Sequence, residues 1–215
     1  MAQLFKRWSN YVPLILVVVA MLGLATVIGF FSYFGSPRFT DVGYAPQQPV
    51  PYSHALHAGD LGMDCRYCHH AIEAAPHANL PPTQTCMNCH EILLPESSRL
   101  MPVRESWSTG LPIAWNRIHL LPDYAYFNHS AHLHAGVGCS SCHGLITRMA
   151  VVAQAEPLSM GWCLACHRHP ESSLRPAGEI TSMVWKPDAD QARFAAVIMK
   201  QNKIAPPQDC SGCHR

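Results

Sequence analysis

Charged residues are absent from Val12 to Phe34, and apolar side chains fill nearly every position of that stretch. At 1.5 Å per residue a helix over it rises about 35 Å, enough to cross a hydrocarbon core of about 30 Å. One membrane-spanning helix is therefore expected. Later segments carry few long apolar runs, and none alternates apolar and polar positions for long enough to make a strand. Two stretches read as helices: Glu96 to Trp107, despite Pro102, and the amphipathic Asp188 to Gln201, which opens after Pro187. The expected fold class is mainly α with low regular secondary structure, short helical turns being joined by loops.

Charge orients the span. Lys6 and Arg7 precede it, whereas the residues just after it offer Arg38 against Asp41. The positive-inside rule then puts residues 1–11 in the cytoplasm, 12–35 in the membrane, and the remainder on the extracytoplasmic side. Tyr11, Phe30, Phe31, Tyr33 and Phe34 place aromatic rings near both ends, as interfacial anchoring requires. A cleaved signal peptide is the competing reading. The run is longer than an ordinary signal core, and its small-x-small triplet, Gly23-Leu24-Ala25, lies inside it, so an uncleaved anchor is expected. Residues 36–51, with Pro37, Pro46, Pro49 and Pro51, read as an extended linker to a domain at 52–215.

The chemistry lies in that domain. All ten cysteines fall in five copies of Cys-x-x-Cys-His, with cysteines at Cys65 and Cys68, Cys86 and Cys89, Cys139 and Cys142, Cys163 and Cys166, and Cys210 and Cys213. The motif is the attachment signature of c-type haem. The two thiols form thioethers with the haem vinyl groups, and the following His is held under the iron. Five haem c groups are expected, with His69, His90, His143, His167 and His214 as proximal ligands. Zinc gives no reason for a His after every second Cys, and thioether bonding removes the cysteines from any disulfide framework. The net charge of +1 says nothing about nucleic acid, and no basic cluster is present to argue for such a partner.

The haem sites also reveal a repeat. Cys65 and Cys86 are 21 residues apart, Cys139 and Cys163 are 24 apart, and the two pairs are offset by 74. An aromatic followed by two histidines three apart precedes each pair, Tyr52-Ser53-His54-Ala55-Leu56-His57 and Phe127-Asn128-His129-Ser130-Ala131-His132. The pattern describes two dihaem units, 52–92 and 127–170, with a fifth site at 205–215. A six-coordinate haem needs a second axial ligand, and two His at i and i+3 can serve two neighbouring irons. His54, His57, His129 and His132 are assigned that distal role. His119, His77, Met160, Met183 and Met199 are further candidates, and His70, His134 and His169 read as exposed bystanders.

These residues carry a resemblance. The aromatic-x-His-x-x-His phrase with its following Cys-x-x-Cys-His resembles the class III multihaem cytochromes. The stretches Val50 to His54, Asp64 to His69, Pro82 to His90 and Leu121 to His132, with the single anchor, are similar more narrowly to the pentahaem cytochrome subunit of Alternative Complex III, a bacterial quinol:electron acceptor oxidoreductase. That resemblance implies an electron relay with no catalytic residue of its own. Electrons from polytopic quinol-binding subunits pass an iron–sulfur subunit, cross the five haems and leave to a monohaem cytochrome c or a terminal oxidase. A multihaem reductase of a small oxyanion and a stand-alone membrane quinol dehydrogenase are the alternatives.

Overall fold

The uncharged run folds as one continuous helix, α1 (Val12–Phe34), in a computed structural model that describes residues 4–35 and 41–214. Pro13 sits in its first turn, where the missing N–H is unpaired in any helix. A 3-10 turn over Arg7–Tyr11 leads into it, and Gly35 ends it, its N–H donating to Phe31 O at 2.9 Å. None of its residues is buried. A helix apolar on every side needs an apolar solvent, and α1 is the one helix among the described residues long and apolar enough to cross a membrane. Residues 1–3, the linker's opening 36–40 with Pro37 and Arg38, and Arg215 lie outside the described residues.

The chain divides after residue 40 into two units. The second holds short helices joined by long loops: α2 (Cys65–Cys68), α3 (Thr83–His90), α4 (Met101–Thr109), α5 (His129–His134), α6 (Ser140–His143), α7 (Met160–Arg168) and α8 (Gln191–Gln201). Extended pairing among the described residues is limited to two isolated bridges, Ala125 with His214 and Val137 with Leu174.

Two helix boundaries differ from expectation. The helix expected from Glu96 starts at Met101, behind a separate 3-10 turn at Ser98–Leu100, because Pro102 is tolerated only in a first turn. Gly110, at φ +72°, closes it in the left-handed conformation that glycine adopts without penalty. The helix expected from Asp188 starts at Gln191, since the Asp188 carboxylate accepts from the Asp190 N–H at 2.9 Å and holds a turn there instead.

Few apolar side chains are buried. Among the described residues they are Val50, Met87, Val103, Leu133, Leu174 and Ala195, and the first three cluster with Leu100, Ile113 and Trp115 beside Cys86. The two repeat units meet directly. Ala55 N–H donates to Met149 O at 3.0 Å, and Gly59 lies so close to Thr147 that an added Cβ would stand 2.4 Å from its carbonyl oxygen.

Candidate functional site

Each Cys-x-x-Cys-His occupies about one helical turn, which puts two sulfurs and an imidazole on one side of it. In the first, third and fifth copies the His N–H donates back to the first Cys carbonyl, at 2.9, 3.0 and 2.9 Å. The second and fourth copies lie within α3 and α7. Side chains just ahead of the turns cap them. Asp64 accepts from Arg66 N at 2.8 Å, Ser159 from Trp162 N at 3.3 Å and Asp209 from Gly212 N at 3.0 Å, each satisfying an otherwise unpaired donor. All ten cysteines are free of disulfides. Among the described residues no three His, Cys, Asp or Glu side chains converge as a zinc site requires.

The proximal rings are held by their far nitrogen. His69 Nδ1 donates to Asn79 O (2.8 Å), His90 Nδ1 to Leu93 O (3.0 Å), His167 Nδ1 to Pro207 O (2.6 Å) and His214 Nδ1 to Tyr124 O (3.1 Å). A carbonyl can only accept, so these contacts fix the proton on Nδ1 and leave Nε2 with its lone pair free for iron. The fifth, His143, differs. Its Nδ1 lies 3.3 Å from Nε2 of His119, the rings edge to face, so His119 stands behind the proximal ring in a supporting position. Burial, then the neighbouring His119, lowers the His143 pKa to about 3, keeping the ring neutral.

The two aromatic-x-His-x-x-His phrases place their rings alike, although the first leads into a π-helical turn, Ala55–Asp60, and the second into α5. Tyr52 lies edge-on to His54 at 4.8 Å and stacks on His57 at 4.4 Å; Phe127 lies edge-on to His129 at 4.7 Å and tilted against His132 at 4.4 Å. Ser53 and Asn128 hold equivalent caps, accepting from Leu56 N and Ala131 N. His57, His129 and His132 donate from Nδ1 to Ser53 O, Pro76 O and Asn128 O at 2.9, 2.8 and 2.7 Å, so they too present Nε2.

Each of these three distal rings faces a proximal one. Ring centres lie 6.2 Å apart for His57 and His90, 6.3 Å for His129 and His143, and 6.1 Å for His132 and His167. A metal–imidazole nitrogen bond of about 2 Å on each side puts two imidazoles sharing one ion roughly 6.3 Å apart, centre to centre. The residues therefore fit haem iron at sites two, three and four. His54 is the remaining member of its phrase. Burial, then His69 and His57, lowers its pKa to about 4, and its buried Nδ1 has no hydrogen-bond partner. It lies within electrostatic reach of His69, the proximal ring of site one.

The remaining candidates lie apart from these pairs. Met160 is 67% exposed, Met183 and Met199 are half-buried, and His77, His70, His134 and His169 are exposed. The Nδ1 acceptors are mostly backbone carbonyls of residues far along the chain, so no residue type in the sequence announces them.

The sulfurs form a row. Burial, then Cys86 and Cys65, raises the Cys68 pKa, so sites one and two are neighbours. Cys65 and Cys139 share a hydrogen bond that joins sites one and three. Burial, then Cys166 and Cys163, raises Cys142 to about 12, and burial, then Cys213, raises Cys163. These proximities link site two to one, one to three, three to four and four to five.

Comparison with known proteins follows the same division. Residues 37–105 match the class III cytochrome C family, and residues 125–215 match the family of cytochrome c7 and related cytochrome c. Over 196 residues the chain is 36% identical to the menaquinone reductase, multiheme cytochrome c subunit, of Nitratidesulfovibrio vulgaris, covering 85% of this chain and 84% of that one.

Proposed function

Because the chain belongs to the class III/c7-type multihaem cytochromes c, we propose that it is the electron-transfer subunit of a membrane quinone-linked complex, carrying five haem c groups in a row outside the cytoplasmic membrane. Bound haem supplies one-electron exchange between ferric and ferrous iron. The protein fixes where each group sits and what surrounds it. The observation that carries this reading is the set of three facing His pairs, 6.1–6.3 Å apart, with Nε2 presented on both sides. An iron with both axial positions taken by imidazole has no place for substrate, which favours a relay over a reductase.

In this reading Cys65 to His214 supply the thioethers and proximal ligands as assigned above, His54, His57, His129 and His132 supply distal ligands to sites one to four, and α1 anchors the chain. Two directions of flow have support. The resemblance to the Alternative Complex III subunit favours quinol oxidation, with polytopic and iron–sulfur partners and a periplasmic cytochrome c or oxidase as acceptor. The menaquinone reductase to which the Nitratidesulfovibrio relative belongs favours electrons moving toward menaquinone. Intact-mass measurement of the matured chain is expected to show five haem adducts, and fewer would refute the loading. In membranes, haem reduction by added quinol supports the first direction. Haem reduction by a reduced periplasmic cytochrome, followed by reoxidation with menaquinone, supports the second.

A further inference from the structure

Arg175 is the most deeply set cation of the haem-bearing unit, 5% exposed beside Leu174 at 0%. Its backbone N–H donates to Gly136 O at 2.8 Å, while Leu174 bridges Val137 and accepts at its carbonyl from Gln191 Nε2 on α8 at 2.8 Å. The side chain then runs under the third haem-attachment loop. One terminal nitrogen donates to Ser140 Oγ at 2.7 Å and reaches Ser141 Oγ at 3.4 Å, and those serines are the two residues between Cys139 and Cys142. The other donates to Ser182 O at 2.7 Å. Trp185 covers the guanidinium, its ring centre 4.8 Å away. Gly138 makes the space: a Cβ there would lie 2.1 Å from Nε.

A buried guanidinium is ordinarily matched by a carboxylate. Here, among the described residues, the ion pairs all belong to Arg66, and the partners of Arg175 are neutral oxygens. Nε has no hydrogen-bond partner among the described residues. Burial lowers the Arg175 pKa, opposed first by Cys139 and then by Glu179, yet arginine stays protonated throughout the physiological range. The attachment loop of site three is thus built around a fixed positive charge that pairs directly with no carboxylate among the described residues.

We propose that Arg175 is a positioning residue for site three whose buried charge raises the reduction potential of the haem held there. This rests on the haem-relay reading above. One-electron reduction of ferric to ferrous iron lowers the site's charge by one, so a nearby cation stabilises the reduced form. At an effective dielectric of about 20, a unit charge within about 12 Å of the redox centre changes the reduction equilibrium on the order of tenfold, about 59 mV for a one-electron couple. Site three then becomes the electron-accepting step at the junction of the two dihaem units.

The test is a potentiometric titration of the full-length protein carrying R175Q or R175K, followed by electron paramagnetic resonance, with site three identified as the low-spin signal that H129A removes. R175Q should lower that one equilibrium about tenfold with the full haem mass retained, and R175K should keep it within about twofold. Equal shifts in both variants, or none in either, would overturn the proposal. Should R175Q fail to mature, S140D against S140N compensates the charge in place, and an unchanged potential in S140D would equally overturn it. Loss of haem adducts from the wild-type chain would count against the relay reading and not against Arg175.

Discussion

Residue type and hydrogen-bond partner together decide what a histidine does in this chain. Of the histidines outside the Cys-x-x-Cys-His motifs, His57, His129 and His132 combine an Nδ1 locked on a carbonyl with an Nε2 facing a proximal ring. Replacing any of them by Ala should convert one haem from low to high spin, read optically or by paramagnetic resonance, with covalent attachment intact. H119A should behave differently. It removes the acceptor behind His143, so the haem of site three should stay low spin while its signal shifts; conversion to high spin would show that His119 is itself a ligand. The sequence makes His119 a further distal candidate, and H119A tests that role directly. The fold brings its Nε2 to 3.3 Å from His143 Nδ1, which no histidine count could show.

Short elements bring the candidate ligands into place, and their ends matter more than their lengths. α2 depends on Asp64, which accepts from Arg66 N and pairs with the Arg66 side chain at 2.9 Å. D64A should cost about 1 kcal/mol of stability through the lost cap, measured by denaturant unfolding. The bond to Arg66 lowers the Asp64 pKa from 3.8 to about 2, favouring the ionised, folded form. Its contribution is therefore complete above about pH 4 and lost as pH falls toward 2. The difference between wild type and D64A should shrink over that interval, and a constant difference would contradict the assignment. Element existence was legible from sequence: the uncharged run became α1 with its expected start at Val12, and α8 formed where an amphipathic stretch predicted it. Boundaries were less so, because Pro102 and the Asp188 carboxylate act through backbone donors that a periodicity cannot register.

At the scale of the whole molecule, a single apolar helix precedes a unit whose buried apolar residues are few and whose repeats meet through Gly59 and the sulfurs of Cys65 and Cys139. The repeat itself was visible in the sequence as a 74-residue offset, but the spatial order of the sites was not, since it depends on how the two units dock. The anchor predicts that alkaline carbonate leaves the full-length protein in the membrane fraction; release into the supernatant would contradict it. The central claim is that the chain moves electrons and does no bond-making chemistry. Its most direct test is steady-state turnover by the purified, fully haem-loaded subunit. The protein should be reduced and reoxidised by artificial donors and acceptors yet turn over neither quinol, nitrite nor sulfite, whereas sustained turnover of any of the three would show an enzyme in place of a relay.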